Sequence, residues 1–400
     1  MRVLRVIGGV DPAFGGPSVS SVSSCIAAQR AGVTNCVAFP ADGGEAPPAA
    51  ARLRGEGIEV RTFRLARIFP ARSRRLGLSP ALATWLAREA GRFDVIHAHG
   101  AWTFTTLTSL LAGKAHGCAT VLSTHETLTD FDIARSGLAA RAAKRVLRQL
   151  YLRSFDLVVL SSLLELRDSR PGTARARSAV LHHPIDGANG ALRPSPAQPG
   201  SDGGLRLGFL GRFDPKKNLD VLIRAVASLP PAVTLRVAGD GEPALRASLR
   251  RLAAETDAAD RIEWLGFLGE AEKPIFFGSI DLLVMPSAYE CFGLGAAEAL
   301  AAGLPVIVSP RTGVAEVVEA YDCGLVVPPT VGELSRALVS LLEQPAHLRE
   351  LAARAPVAVE RELSPAVHGE RLRHEYERLV TARSARSRGA RRLIRAGAAR

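Results

Sequence analysis

Two carboxylates, Glu290 and Glu298, lie near each other in the segment Ser-Ala-Tyr-Glu-Cys-Phe-Gly-Leu-Gly-Ala-Ala-Glu. The apolar run 281–285 before them predicts a buried strand, and the small residues after Glu290 predict a helix that Gly303 and Pro305 end. Glu290 is therefore expected in a loop at the carboxyl end of a strand, where open α/β sheets bind ligands. The alternative is a pair of solvated glutamates. The Gly, Ala and Leu residues around Glu298 disfavour it, because a buried carboxylate needs a partner.

The start of the same helix favours an anion. The backbone N–H groups of Phe292, Gly293 and Leu294 are expected to lack partners within the helix, and small residues let a phosphate approach them. One element thus offers a site for phosphate and two carboxylates that accept hydrogen bonds from hydroxyls. A nucleotide-sugar has both kinds of group.

A second motif adds cations to this chemistry. Leu205–Leu210 predicts a strand, and Gly-Arg-Phe-Asp-Pro-Lys-Lys-Asn follows it before an amphipathic helix over 219–229. Arg212 can bind a phosphate with two parallel hydrogen bonds, and Lys217 adds a point charge. The segment lacks the glycine spacing and the Lys-Ser/Thr pair of a Walker loop. A solvated basic turn is the alternative for this motif taken alone.

Together the two motifs resemble those of the family 4 glycosyltransferases, which are retaining enzymes of the GT-B fold. The resemblance extends from the first strand to about residue 380. It implies that Arg212 and Lys217 hold the diphosphate of the donor. It also implies that Glu298 binds the ribose hydroxyls and that Glu290 contacts the donor sugar.

The N-terminal half resembles the same family. Arg2–Gly9 predicts a strand, and Gly15-Gly16-Pro17 opens a predicted helix that runs to about Arg30. A glycine pair between a strand and a helix lets backbone amides approach a phosphate or a sugar. Gly15 and Gly16 are therefore candidate donor-binding residues.

Three histidines follow predicted strands in this half. His97-Ala-His99-Gly and the nearby Trp102 resemble a segment found in the members of the family that make cell-surface polysaccharides, which implies an acceptor-side role. By the same resemblance, His125 lies close to the reacting face of the donor sugar. His97 and His99 could alternatively share a metal ion, since alternate residues face one side of a strand. No third ligand is apparent, and the resemblance implies neither a metal nor a cofactor.

Alternating strand and helix patterns predict an α/β protein with parallel sheets. The resemblance implies the GT-B arrangement, in which two doubly wound Rossmann-like domains face each other across a cleft. The composition sets the boundaries: an N-terminal acceptor-side domain over 1–186, a Pro/Gly/Ser-rich linker over 187–204 and a donor-binding domain over 205–360. A helix over 361–380 is expected to return to the first domain. Residues 381–400 are expected to form a basic disordered tail.

Basic residues are concentrated in the first half of the chain. Residues 1–200 hold 25 Lys and Arg against 14 Asp and Glu, and the tail adds seven arginines without an acid. Apolar residues are interspersed in one arginine cluster, which suits an anionic membrane surface and comprises Arg61, Arg64, Arg67, Arg72, Arg74 and Arg75. Nucleic acid is the rival partner, but no aromatic platform accompanies the charge. We expect no nucleic-acid binding.

Segments that would direct the chain elsewhere are absent from the sequence. No apolar stretch is long enough to span a bilayer, and Met1-Arg2-Val3 leads into the first strand without a signal-peptide pattern. The five cysteines show no paired spacing and are expected to be free thiols. The expectation is a cytoplasmic protein associated with the inner face of the cell membrane.

The sequence thus predicts a retaining, metal-independent glycosyltransferase. Its donor would be a UDP- or GDP-linked sugar, and its acceptor a glycan or a lipid-linked molecule in cell-surface polysaccharide synthesis. A nucleotide-sugar epimerase of similar fold and a non-catalytic nucleotide-sugar-binding scaffold are the alternatives. A dinucleotide oxidoreductase is rejected, because Gly8-Gly9 and Gly15-Gly16 do not have the Gly-x-Gly-x-x-Gly spacing.

Overall fold

A computed structural model describes residues 1–10, 15–41, 47–67, 73–74, 76–169, 177–185 and 203–397, with the backbone alone for 386–397. Within these ranges the chain forms two compact units. Unit 1 comprises Met1–Pro184 and Pro365–Arg400, and unit 2 comprises Ile185–Ser364. The predicted linker up to residue 202, and Arg72 and Arg75 of the arginine cluster, lie outside the described residues.

Unit 1 is built on a parallel sheet of seven described strands in the order β3-β2-β1-β4-β5-β6-β7. Its central strands are buried along their whole length because helices cover both faces of the sheet. The strands are β1 (Arg2–Val6), β2 (Thr34–Ala41), β3 (Glu59–Arg64), β4 (Val95–His99), β5 (Ala119–Ser123), β6 (Leu157–Leu160) and β7 (Arg177–Val180). The helices are α1 (Gly16–Arg30), α2 (Pro48–Gly55), α3 (Pro80–Glu89), α4 (Phe104–His116), α5 (Asp130–Ala134), α6 (Leu138–Ser154) and α7 (Leu163–Ser169).

Unit 2 contains a parallel sheet of six described strands in the order β10-β9-β8-β11-β12-β13. The strands predicted over 205–210 and 281–285 agree with the structure to within one residue. The strands are β8 (Leu205–Leu210), β9 (Val233–Ala238), β10 (Ile262–Gly266), β11 (Leu282–Met285), β12 (Val306–Val308) and β13 (Gly324–Val326). The helices are α8 (Leu219–Ala227), α9 (Pro243–Glu255), α10 (Lys273–Gly278), α11 (Leu294–Ala301), α12 (Ala315–Tyr321), α13 (Val331–Glu343) and α14 (Pro345–Ala358).

The C-terminal helix α15 (Pro365–Gly397) belongs to unit 1. Leu372, Tyr376 and Leu379 on this helix are buried with the apolar side chains of β1, β4 and β5. The helix continues through 381–397, so the prediction of a disordered tail is wrong for these residues. Alanine and arginine are strong helix formers, and a helix already nucleated on a packed core extends into such a sequence at little cost.

Candidate functional site

In unit 2, two loops meet at the carboxyl ends of the neighbouring strands β8 and β11. The sheet order reverses between these strands, which is where open α/β sheets form a ligand crevice. Two hydrogen bonds join the loops. The backbone N–H of Ala288 donates to the carbonyl oxygen of Lys216 at 2.7 Å, and the Asn218 side-chain amide donates to the carbonyl oxygen of Pro286 at 2.9 Å.

The two loops also form an ion pair. Lys217 Nζ lies 2.8 Å from Glu290 Oε1, and these side chains are only 15% and 12% exposed. Lys216 Nζ is more distant, at 4.0 Å from the same oxygen. Arg212 is 78% exposed, and its guanidinium lies 3.7 Å from Asp214. Lys217 is thus held in place, whereas Arg212 is accessible to a ligand.

Two glycines let the backbone elements of this site approach closely. A Cβ on Gly239 would lie 1.9 Å from the carbonyl oxygen of Gly211, so the loop after β9 can contact the loop after β8 only without a side chain. Gly293 precedes helix α11 with φ of 102°, and a Cβ there would lie 2.7 Å from Thr312. At both glycines the backbone is therefore not covered by a side chain of its own.

Helix α11 begins at Leu294, which corrects one detail of the sequence prediction. Phe292 precedes the helix, and its side chain is buried in the apolar core of unit 2. Its carbonyl oxygen accepts a hydrogen bond from the backbone N–H of Val314 at 2.7 Å. The first turn of the helix therefore presents the N–H groups of Leu294 and Gly295, and the cause is the left-handed turn at Gly293.

The backbone of Glu290 is held from the opposite side by the loop after β12. Its N–H donates to the carbonyl oxygen of Arg311, and its carbonyl oxygen accepts from the N–H of Gly313, both at 2.9 Å. Together with the ion pair to Lys217, these bonds fix the carboxylate of Glu290 at the edge of the crevice.

Glu298 has the buried position that the sequence predicts, and its partner is Lys273. The ammonium of Lys273, at the start of α10, donates to Glu298 Oε1 at 2.9 Å and to Glu270 Oε1 at 2.9 Å. Burial raises the pKa of Glu298, and the Lys273 charge offsets part of this rise. Burial lowers the pKa of Lys273, but the two carboxylates outweigh it and the net shift is upward. Sequence reasoning missed Lys273, because no motif links residues 25 positions apart on different helices.

In unit 1, four histidine rings stack in a column, which we call the histidine column: His97, His99, His125 and His183. Successive ring centroids are 4.4, 5.3 and 5.6 Å apart. His97 and His99 lie on β4, and His125 follows the neighbouring strand β5. The sheet thus brings together the three histidines that the sequence predicts.

Hydrogen bonds fix the orientation of the column. His97 bonds to the Tyr376 hydroxyl at 2.6 Å and to the Ser123 hydroxyl at 2.8 Å. His99 Nδ1 lies 3.0 Å from His125 Nε2 and 3.0 Å from the hydroxyl of Ser21 on α1. His99 Nε2 is buried and has no hydrogen-bond partner among the described residues.

Burial makes the column neutral. Burial lowers the pKa of His125 to about 4 and holds the pKa values of His97, His99 and His183 well below the usual range. Neutral imidazoles donate and accept hydrogen bonds without adding charge. Among the described residues, no group of three His, Cys, Asp or Glu side chains is placed to hold a metal ion.

Glu165 on α7 supports the loop that carries His125. His125 and Glu126 have φ values of 47° and 74°, a left-handed conformation that non-glycine residues rarely adopt. Glu165 is fully buried and accepts from the Thr124 hydroxyl and the Glu126 N–H, each at 2.6 Å. It also accepts from the backbone N–H and the hydroxyl of Ser161. No sequence motif distinguishes Glu165 from any other glutamate on a short helix.

The remaining predicted residues of unit 1 lie outside the column. The indole N–H of Trp102 donates to Asp132 at 3.0 Å, and its ring stacks on Tyr151. Trp102 therefore contacts helices α5 and α6 and not the histidine column. Gly15 caps the amino terminus of α1 with φ of 90°, and Gly16 begins that helix. Ser21, one turn further along α1, reaches His99.

Comparisons with known proteins agree with both units. Residues 14–188 match the family described as Glycosyltransferase Family 4, and residues 195–357 match the family described as Glycosyl transferases group 1. Both matches are to glycosyltransferase families, and together they support a glycosyltransferase of the family 4 type.

Curated relatives include two enzymes from Streptomyces. The 2-deoxystreptamine glucosyltransferase of Streptomyces kanamyceticus is 36% identical over 157 residues, which are 38% of this chain and 40% of the relative's length. The 2-deoxystreptamine N-acetyl-D-glucosaminyltransferase of Streptomyces fradiae is 28% identical over 76% of this chain and 78% of its own length.

Among solved structures, Anabaena HepE in complex with UDP-glucose is similar with a TM-score of 0.75 and 20% identity. The match covers 94% of this chain and 99% of that chain. Likenesses of this kind, together with the two parallel sheets, confirm the prediction of a GT-B fold.

No described helix is both long enough and apolar enough to cross a membrane.

Proposed function

We propose that this protein is a retaining glycosyltransferase that takes its sugar from a nucleotide-diphosphate sugar. The observation that carries the proposal is a set of five charged residues, four of which follow β8 and β11 while the fifth, Lys273, lies on α10. Lys217 and Glu290 form a partly buried pair, Glu298 is buried beside Lys273, and Arg212 is exposed. Buried charges of this kind are costly unless they serve a ligand or a structural pair.

In the proposed mechanism, Arg212, Lys217 and the first N–H groups of α11 stabilise the diphosphate as the glycosidic bond stretches. Fixed charges and dipoles of this kind often supply the largest part of an enzyme's rate enhancement. Glu298 accepts hydrogen bonds from the ribose hydroxyls, and Glu290 and His125 position the sugar. The acceptor hydroxyl attacks from the face that the diphosphate leaves, and a phosphate oxygen takes its proton. This step needs neither a metal ion nor a cofactor.

UDP is the nucleotide that the comparisons favour, since HepE has been solved with UDP-glucose. We propose a glycan or a lipid-linked molecule as the acceptor, in cell-surface polysaccharide synthesis on the cytoplasmic side of the membrane. In that setting Gly15, Gly16, His97 and His99 contribute to binding, and the free Nε2 of His99 is available to a sugar hydroxyl. The names of the two Streptomyces relatives point to a cyclitol as a second class of acceptor.

The test is product analysis with purified protein. UDP-glucose and GDP-mannose are incubated with a simple glycoside, with a polyprenyl-phosphate sugar and with a cyclitol, and NMR determines the anomeric configuration of each product. A retained configuration in a new glycosidic bond supports the proposal. Conversion of the donor in the absence of any acceptor would instead identify an epimerase. Binding without turnover of any donor would identify a scaffold, and Arg212→Ala serves as the inactive control.

A further inference from the structure

Helix α6 of unit 1 has its polar and apolar faces reversed relative to an ordinary surface helix. Three of its cations point toward the protein: Arg148 pairs with Asp130, Lys144 pairs with Asp132, and Arg141 donates to the carbonyl oxygen of Ala134. Leu152 is buried, but four other large aliphatic residues of the helix are exposed to solvent. These residues, Leu138, Val146, Leu147 and Leu150, form what we call the outer face of α6.

The side chains of the outer face are strongly exposed to solvent. Leu138 is 82% exposed and Val146 is 70% exposed, and all four side chains are among the exposed large apolar residues of the chain. A surface helix ordinarily turns such residues inward, since removing apolar surface from water is favourable. Contiguous apolar residues left in water mark an interaction surface.

Helix α4 exposes further apolar residues on the same side of the sheet. Strands β4, β5 and β6 are parallel neighbours, and right-handed connections place α4 and α6 on the same face of the sheet. Helix α4 exposes Leu107 and Leu111. Neither helix contains an aspartate or a glutamate.

The charges beside the outer face indicate the partner. Arg145 and Arg153 are exposed on α6 and form no ion pair within the described part of the chain. A second copy of this chain would bring the same arginines against each other, which is unfavourable across a symmetric interface. Nucleic acid would require outward cations, yet three of the five on α6 are turned inward. An apolar face flanked by arginines suits a bilayer that contains anionic lipid.

We propose that the outer face of α6, with Leu107 and Leu111 of α4, docks unit 1 on an anionic lipid bilayer. The aliphatic side chains enter the interface between headgroups and acyl chains, while Arg145 and Arg153 contact lipid phosphates. This inference rests on the proposed function in one respect, since it would present unit 1 to a lipid-linked acceptor. The surface differs from the arginine cluster and the C-terminal segment that the sequence favours.

The test uses the full chain and sedimentation with vesicles. Phosphatidylcholine vesicles with and without phosphatidylglycerol are compared for the wild type, Val146→Ser/Leu150→Ser and Arg145→Glu/Arg153→Glu. The matched control is Ile275→Ser, an equally exposed aliphatic residue of unit 2. We expect the wild type and the control to bind the vesicles that contain phosphatidylglycerol. Each double variant should bind at least about tenfold more weakly.

Further measurements separate the other outcomes. Thermal unfolding should be unchanged in both double variants, because the altered side chains are exposed. Equal vesicle binding by the wild type and the Val146→Ser/Leu150→Ser variant would overturn the proposal. So would loss of binding on deletion of residues 386–400 alone, or a dimer in light scattering that the double variants dissociate. Donor hydrolysis should be the same in every variant, so its absence from the wild type would count against the proposed function and not against docking.

Discussion

The candidate sites of the two units handle polar groups in opposite ways. In unit 2 the carboxylates and ammonium groups form ion pairs near the ends of strands, and these pairs are partly exposed. In unit 1 the histidine column is buried, and the pKa values of its rings are lowered. The first arrangement can stabilise a charge that develops on a ligand, and the second can only orient neutral groups.

Because of this difference, we expect mutations in the two units to change different measured properties. Removing a charge from unit 2 should affect turnover and donor binding while the unit stays folded. Altering the histidine column should affect folding and its dependence on pH. Five experiments examine this contrast, beginning with the largest expected effect.

Replacement of Lys217 by methionine should reduce kcat by about 10²–10³-fold, since a fixed charge next to the leaving diphosphate is lost. The control is Lys216→Met, which removes the same charge one residue away and 4.0 Å from the same Glu290 oxygen. Steady-state kinetics on both variants are the measurement. Equal losses would mean that net charge matters rather than the position of Lys217.

Glu298→Gln should raise the Kd for the donor about tenfold, because an amide accepts hydroxyl hydrogen bonds less well than a carboxylate does. Calorimetric titration with UDP compares this variant with Glu263→Gln, which alters a more exposed glutamate of the same unit. An unchanged Kd for Glu298→Gln would mean that Glu298 does not bind the ribose hydroxyls.

Lys273→Met should move the acidic limb of kcat/KM for the donor to higher pH. Burial raises the pKa of Glu298 and the Lys273 ammonium offsets part of this, so removal of the ammonium lets the pKa rise further. Glu298 then becomes protonated, and donor binding weakens, at a higher pH than in the wild type. A pH profile with the same limb in both proteins would show that Lys273 does not control the ionisation of Glu298.

The free energy of unfolding of unit 1 should fall as the pH is lowered from about 6.5 toward 4. Burial lowers the pKa of His125 and of His368 to about 4, so in this window the unfolded chain binds protons that the folded chain does not. We expect a loss of about 1–2 kcal/mol per histidine between about pH 7 and pH 5.

Urea unfolding at the two pH values measures this loss. His368→Gln should reduce the pH dependence, whereas His347→Gln, which changes a partly exposed histidine of unit 2, should not. If the wild type is equally stable at both pH values, the buried neutral state of these histidines is incorrect.

Chelation should have the smallest effect. Arg212, Lys217 and the start of α11 are proposed to do what a divalent ion does in other transferases, so turnover should persist in EDTA. The measurement is the initial rate with and without EDTA, followed by addition of magnesium or manganese. Loss of activity that either ion restores would contradict the proposed mechanism.

Much of the site could be predicted because its parts are local in the sequence. Leu205–Leu210 and the glycine and cations after it form one strand and one loop, and Glu290 and Glu298 flank one helix start. Local patterns of this kind constrain the backbone directly. The sequence predicts the start of α11 at Phe292, two residues before the observed start at Leu294. The left-handed turn at Gly293 lies against Thr312, and this contact between distant segments cannot be read from the local sequence.

The contacts between distant segments could not be predicted. Lys273 meets Glu298 because α10 and α11 belong to one domain, and Glu165 supports His125 across two neighbouring strand ends. Neither residue has a distinctive neighbourhood in the sequence. The scarcity of large apolar residues after residue 380 predicts a disordered tail. The first half of α15 is packed on the core, however, and it supplies the nucleus from which the helix extends.

The sequence by itself determined the class of fold, the motifs shared with glycosyltransferase families and the charged residues that we propose bind the donor, since repeated strand and helix patterns and short motifs are local properties of the chain. Only the tertiary structure decided the partner of Glu298, the stacking and neutrality of the histidines, and the exposure of the aliphatic residues on α6. These properties depend on burial, and burial is set by which elements pack together. A sequence pattern shows that α6 is amphipathic, but only packing shows that its charged side faces inward.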